Sequence, residues 1–543
     1  MSKKTFVRGA AILGIVGLIV KVIGAFYRIP LTAIIGEEGM GIYQIAYPIY
    51  TYLLVISTSG LPTAISKMVS EKVTLGDYRG ARRVFKVSFR LLLVLGAVST
   101  AVLWFGSDLI AGWLGDHLAA TAIRYIAPAL FFVSAMSAYR GYFQGMQSMA
   151  PTAVSQLVEQ VGKLAIGLYL ANAWFNMYLP QGQGMAAAMG AAGAMMGVSL
   201  SELAALVMLM GVHRGKKNQL RPYIKASPKL SQESFGRVGK NLAKIAIPVT
   251  VGASITPLMG MIDAAIINNT LQAVGYALSE SRAMYGVLTG VVNTLVNMPA
   301  VFTVALAMSL VPAIAESKAR RDMRQLRSRA GTGLKIAMLI GLPCAVGLGI
   351  FAQPIIHLLY PSLSEANTLL SIRLLELMSL AVFFISLLQA MTGVLQGMGK
   401  VNVPVFNLLI GAVIKIVISL VFIRVESINI YGAALGSIAC YATTGILNVV
   451  CMVRLGGIRF KALDYIVKPV ISTAVMGAVS YLAYRVLEGA AGANMALAVA
   501  IVVAVVVYAV LIVLTKALSK DDWAYLPGGY RIQKLLGKIG IMK

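Results

Sequence analysis

The chain has 543 residues, 58% hydrophobic and 12% charged, with a mean hydropathy of +0.81, so it is composed for lipid rather than for water. Its 47 basic and 20 acidic residues give a formal charge of +27, but the charges sit in short segments between apolar runs without interleaved aromatics, which argues against nucleic acid. Cys344, Cys440 and Cys451 lie in apolar runs without metal-ligand spacing, and His117, His213 and His357 lie near expected loops and make no metal pair. With no nucleophile elbow, phosphate loop or dinucleotide fingerprint either, the chain reads as neither enzyme nor metalloprotein.

A helix needs about 20 apolar residues to cross the hydrocarbon core. That rule gives an all-α membrane protein of fourteen predicted spans, near 9–29, 40–63, 85–107, 119–143, 151–174, 185–212, 245–269, 283–311, 332–356, 370–395, 403–424, 431–453, 466–487 and 493–516. The runs lack the alternation of strands. The first follows Lys3, Lys4 and Arg8, is too long for a signal h-region, and has no small-residue cleavage site before Tyr27, so it reads as a retained span.

Within span one, Lys21 lies roughly 20 Å from the inner end at 1.5 Å per residue, too deep to reach the surface easily. Arg28 is seven residues further on, on the same helical face, either as an outer-surface anchor or as a cavity cation. Span two carries Tyr43, Tyr47, Tyr50 and Tyr52, which mix cavity lining with packing. Lys163 in span five has Glu159 at i−4, so a local ion pair is its simplest account. Glu202 in span six and Asp263 in span seven are notable intramembrane acids, and Asn268 and Asn269 read as a helix end. Arg282 opens span eight. It either pairs with Glu280 at the surface or joins Lys21 and Arg28 in a positive cluster suited to phosphate, where arginine offers forked donors and lysine a point charge. Lys415 in span eleven has no i−4 acid and needs a partner from another helix, from water or from a ligand.

Residues 141–163 resemble 393–415 at one fixed offset of 252. Gly141 pairs with Gly393, Gln144 with Gln396, Gly145 with Gly397, Met146 with Met398 and Lys163 with Lys415, while Pro151 and Pro404 match with a one-residue slip. Leu61-Pro62 is echoed by Val311-Pro312. Six spans separate the copies, so the halves enter the membrane in the same sense and form a parallel repeat. The organisation read from this is a six-helix bundle over 1–212, a basic cytoplasmic linker over 213–244, a second six-helix bundle over 245–454, two further spans over 455–516 and a cytoplasmic tail over 517–543. The tail, with Trp523, Tyr525 and Tyr530, reads as an interfacial helix. With the N-terminus cytoplasmic, 37 of the 47 basic residues fall inside, while Glu37, Glu38, Asp108 and Asp116 mark outer turns, so both termini are expected in the cytoplasm.

Lys21-Val-Ile-Gly-Ala-Phe-Tyr-Arg28, Ile35-Gly-Glu-Glu-Gly-Met-Gly-Ile-Tyr43, Ser59-Gly-Leu-Pro-Thr-Ala-Ile-Ser-Lys67 and Tyr142-Phe-Gln-Gly-Met146 carry a resemblance to a known family. Over essentially its whole length the chain resembles the multidrug/oligosaccharidyl-lipid/polysaccharide exporter superfamily, in the branch of stage V sporulation protein B and the lipid II flippases. The resemblance implies a multi-pass protein of the bacterial cell membrane. It would move an undecaprenyl-diphosphate-linked sugar, most directly lipid II for peptidoglycan, to the outer leaflet by alternating access. It implies that Lys21, Arg28 and Arg282 bind the diphosphate, although Lys21 stands where an arginine is usual and Tyr47 and Tyr50 stand where span two of the family has another arginine. The last two spans would form a groove for the lipid tail. Asp263 and Asn407 match part of a sodium site of some relatives, with Gly411 in place of its second acid, so the coupling ion stays open between proton and sodium and no other cofactor is implied. Besides the glycan lipid and membrane lipids, cell-wall synthesis proteins are admitted as partners. Two competing readings are a drug/cation antiporter of the same superfamily, resting on Asp263 and Glu202, and a polytopic glycosyltransferase or polymerase, which the short outer turns oppose.

Overall fold

The computed structural model describes residues 3–227, 234–457, 463–515 and 517. The tail with Trp523, Tyr525 and Tyr530, and the middle of the expected linker, lie outside the described residues. Those described are helical almost throughout, with no strand among them. Packing divides the chain into two compact units, Met1–Val291 and Val292–Lys543.

The first unit contains α1 (Lys3–Thr58), α2 (Gly60–Thr74), α3 (Tyr78–Trp113), α4 (Ala119–Gly145), α5 (Ala150–Gly162), α6 (Leu168–Tyr178), α7 (Gln183–Ala226), α8 (Phe235–Ala273) and α9 (Leu278–Gly286). The second contains α10 (Asn293–Asn297), α11 (Ala300–Ala319), α12 (Met323–Ile350), α13 (Ala352–Leu359), α14 (Glu365–Gly397), α15 (Asn402–Phe422), α16 (Tyr431–Gly456), α17 (Lys468–Ala491) and α18 (Ala493–Leu514).

Among the described residues twelve helical stretches are long and apolar enough to cross a membrane. They differ from the fourteen sequence-derived spans in three places, two of which lower the count, each with a local cause. Spans one and two run together as α1 and α2, because the expected turn is a kink at Gly36 (φ 68°, ψ −179°) and not a loop. Span five is divided by a π-helical segment, Lys163–Gly167, between α5 and α6. A second π segment, Val287–Val292, and then Pro299, break the start of span eight. Each of these sites carries or adjoins glycine or proline, the residues that disturb a helical ladder.

Gly36 adopts a backbone region open essentially to glycine alone, and a side chain there would meet no neighbouring atom. Gly36→Ala is therefore expected to destabilise the first unit by about 1–3 kcal/mol through the backbone alone. Thermal unfolding of the detergent-solubilised variant against the parent measures this, and an unchanged midpoint refutes it.

The internal repeat has a packing meaning. In the first unit a Cβ on Gly141 would press on Ile65 and the Pro62 carbonyl, and one on Gly145 on Val69 and the Ser66 carbonyl, so the glycine pair seats α4 on α2. In the second unit Gly393 meets Ala307, and Gly397 meets Ile314 and the Val311 carbonyl, so the matching pair seats α14 on α11. Such small-residue pairs let helix backbones approach closely in lipid. The helix ends repeat as well. The Met146 N–H donates to the Tyr142 carbonyl and the Gln147 N–H to that of Gln144, the Met398 N–H donates to the Val394 carbonyl and the Gly399 N–H to that of Gln396, and φ is positive at Gln147 and at Gly399.

Most of the segment 213–244 is helical, since α7 continues to Ala226 and α8 starts at Phe235. The end of α7 is held by Arg79, which donates to the Ile224 and Lys225 carbonyls, and by Ser227, whose hydroxyl accepts the Tyr78 N–H. His213 lies within α7, not by a loop, stacked at 5.0 Å on Phe85 with Tyr139, Tyr142 and Phe143 around it. In the second unit α17 packs on α12 and α18, and the Tyr508 hydroxyl donates to the Leu339 carbonyl at 2.9 Å. Leu482, Val486, Val502 and Val505 remain exposed on these helices.

Candidate functional site

The first unit assembles a cationic site from α1 and the π segment after α5. Gly193 and Gly197 let α7 approach α6 and the π segment closely. A Cβ on Gly193 would press on the Leu170 carbonyl, one on Gly197 would overlap Gly167, and Ser201, one turn further along, meets Gly162. The π segment opens at Lys163, and the extra residue in its turn re-aims that side chain. Its ammonium lies 5.0 Å from the Tyr27 ring centre and 4.8 Å from that of Tyr47, and hydrogen-bonds the Tyr43 side chain. The tyrosines brace one another. Tyr43 stacks on Tyr47 at 5.5 Å, Tyr47 leans on Tyr50 at 5.9 Å, and Tyr27 is 6.5 Å from Tyr43.

Lys163 was expected to pair with Glu159, and the structure corrects this. Glu159 is bonded at 2.9 Å by Arg140 from α4, whose Nε donates to the Ser155 hydroxyl, and Lys163 turns to the tyrosines instead. A guanidinium from a neighbouring helix reaches the carboxylate in fixed geometry, an arrangement that i−4 reasoning along one helix does not see.

The charge of Arg28 acts on both Tyr43 and Lys163. Lys21 is exposed, and it is not on the apolar stripe of its own helix. Ile15, Ile19, Val22 and Phe26 make that stripe, while Lys21 and Arg28 lie about a third of a turn away around α1. Between them Gly24 brings Gln160 of α5 close, 3.1 Å from where a Cβ would stand.

Arg282 has a different setting. Only 3% exposed, it is clamped bidentately by Asp116, Nε to Oδ2 at 2.6 Å and one terminal nitrogen to Oδ1 at 2.8 Å, with Glu38 at 3.4 Å on the other. The alternative partner, Glu280, caps the Ala277 N–H instead. α9 reaches this position because Gly41 and Gly286 lie in reciprocal backbone contact between α1 and α9. Asn268 and Asn269, read as a helix end, lie inside α8 and donate to the Leu114 and Trp113 carbonyls, and Gln272 donates to that of Gly115. The turn between α3 and α4 is thus held by four side chains at the end of α3 opposite its basic start.

Tyr50 is buried, with Glu202 and Glu159 in its electrostatic surroundings. Asp263 is half-buried and acts on Tyr285. In the second unit Lys415 is 8% exposed within α15, and Gly436 of α16 packs against its backbone. Asn407, 5% exposed, donates to Asn448 Oδ1 at 2.8 Å, and Asn448 donates to the Thr392 hydroxyl at 3.2 Å. A side chain at Gly411 would collide with Thr444, so close packing of α15 on α16 excludes an acid there.

A family model described as polysaccharide biosynthesis protein matches residues 6–318. The chain belongs to that family. A second model, MatE, matches residues 286–421 of this polysaccharide biosynthesis family member. Lipid II flippase MurJ of Bacillus subtilis (strain 168) is 29% identical, covering 99% of this chain and 98% of that protein. Stage V sporulation protein B of the same organism is 28% identical, covering 97% and 98%. Among solved structures the fold is similar to a lipid II flippase MurJ in an inward closed conformation, with TM-score 0.68, 14% identity, and 92% of this chain and 98% of that one covered. It is also similar to an inward-facing multidrug resistance MATE family transporter, with TM-score 0.66 and 14% identity, covering 80% and 94%. The chain is a polytopic, all-helical membrane protein of the polysaccharide biosynthesis protein family.

Proposed function

We propose that this protein is a flippase carrying an undecaprenyl-diphosphate-linked sugar, lipid II in the first instance, from the cytoplasmic to the outer leaflet by alternating access, with both termini cytoplasmic. The observation that carries the reading is the group formed by Lys163, Arg28 and the tyrosines, with Lys21 on the same face of α1 as Arg28. A diphosphate asks for this chemistry: a point charge, a forked donor, and hydroxyls to bond the remaining oxygens. The exposed aliphatic faces of α17 and α18 suit the polyprenyl tail.

Arg282 enters the proposal in a changed role. With its guanidinium held by Asp116 and Glu38, it meets a diphosphate only if those carboxylates let go. An antiporter of drugs or cations, the reading the MatE match favours, would rest on Asp263 and Glu202, and of these Asp263 is half-buried and Glu202 is 3% exposed beside Glu159.

The test is translocation in proteoliposomes, comparing lipid II with undecaprenyl-diphosphate bearing other sugars, undecaprenyl monophosphate and a cationic dye. Diphosphate-dependent flipping, lowered at least about 5-fold by Arg28→Ala as expected for the loss of roughly 1 kcal/mol or more, supports the reading. Dye transport without lipid flipping replaces it with the antiporter.

A further inference from the structure

Beside the tyrosine cage, the first unit buries two carboxyl groups against each other. Glu202 on α7 is 3% exposed and faces Glu159 of α5. Arg140 binds the Glu159 carboxylate at 2.9 Å and uses its Nε on Ser155. Glu202 Oε2 is buried and meets no donor among the described residues. The groups facing Glu202 are Glu159 from α5, Arg140 from α4, Tyr50 from α1 and Lys163 from the π segment. Of these, Lys163 is directed to Tyr43 and the rings of Tyr27 and Tyr47. One bonded arginine therefore serves two acids.

A second ionised carboxylate beside the first, in a bundle surrounded by lipid, repels its neighbour and lacks solvation; the simplest ligand that relieves both is a proton. Two carboxyls that share one proton replace the repulsion with a hydrogen bond, as paired aspartates do in other proteins. We propose that Glu159 and Glu202 form a proton-binding site, occupied when the pair is buried as here and emptied when the transport cycle exposes it. The proton resides on Glu202 and bridges to Glu159, whose carboxyl group is held by Arg140. Its role in coupling rests on the transport reading above, whereas the binding site itself does not.

The experiment is infrared spectroscopy of the full chain in nanodiscs, titrated with pH, together with flipping assays at the same pH values. The expected result is a protonated-carboxyl stretch that fades as pH rises and is missing from Glu202→Gln, with flipping that varies with pH in the parent and is flat in the variant. Glu159→Gln, which leaves Arg140 with Ser155, is the second variant and should also remove the titration. Spectra of parent and Glu202→Gln that coincide across the range overturn the site, as does a carboxyl band that responds to sodium at constant pH. A titrating band in a protein that flips no lipid keeps the proton site and removes the flippase reading instead.

Discussion

Lys163→Met is expected to reduce diphosphate-lipid flipping at least about 10-fold while the protein stays folded. Methionine keeps an unbranched apolar stem beside Tyr27 and Tyr47, and removes the ammonium with its charge and its hydrogen bond to Tyr43. A unit charge about 4 Å from a phosphate charge contributes about 4 kcal/mol at an effective dielectric near 20, and 1.4 kcal/mol already corresponds to a factor of ten. Lys163→Arg should recover part of the rate, because it restores charge with a different shape in a cage fitted to an ammonium. The measurement is initial flipping rate in proteoliposomes at matched reconstitution, with thermal unfolding as the control for folding. Full activity in Lys163→Met would remove the headgroup site from this part of the molecule.

The fold was readable because its signals are periodic and redundant. Long apolar runs mark the helices, and Gly141, Gly145, Gly393 and Gly397 declared the repeat before their role as seats for α2 and α11 was visible. Helix interruptions were not readable in the same way. A π segment such as Lys163–Gly167 keeps the composition of a span and alters only its hydrogen-bond step, so hydropathy passes over it. The glycines on either side, Gly162 and Gly167, were the available sign.

Site residues were legible as residue types and not as partners. Lys21, Arg28, Lys163, Arg282 and Glu202 stand out because charge in a span is costly, but what each touches is fixed by helices far away in sequence. Arg282 meets Asp116, 166 positions earlier, where local reasoning offered Glu280. Lys163 leaves Glu159 because Arg140 arrives from α4. The tyrosine run of span two named Tyr43 and Tyr47 among the lining candidates, while Tyr27, fully buried one helical turn before Leu31, gave no sign beyond its place in the Lys21–Arg28 motif.

Asp116→Ala is expected to be the most damaging single substitution for stability. Its carboxylate is wholly buried and takes two hydrogen bonds from a guanidinium that is itself 4% exposed. Removing one partner of such a pair leaves the other charge buried and uncompensated, a loss of about 3–5 kcal/mol. Glu38 remains at 3.4 Å but is 33% exposed, so it offsets a fraction of that, and Glu38→Ala alone should cost far less. The double variant Asp116→Leu with Arg282→Met removes both charges and should recover much of the stability, since an apolar replacement of a buried pair is often neutral. Thermal unfolding in one detergent orders the four proteins, and flipping assays on the double variant then separate stability from transport. The turn 113–116 keeps its bonds from Asn268, Asn269 and Gln272 in every variant. A double variant that is stable and still flips lipid would show the pair to be structural. One that is stable and inactive would show that Arg282 must be released to act. A single Asp116→Ala variant as stable as the parent would refute the buried clamp itself.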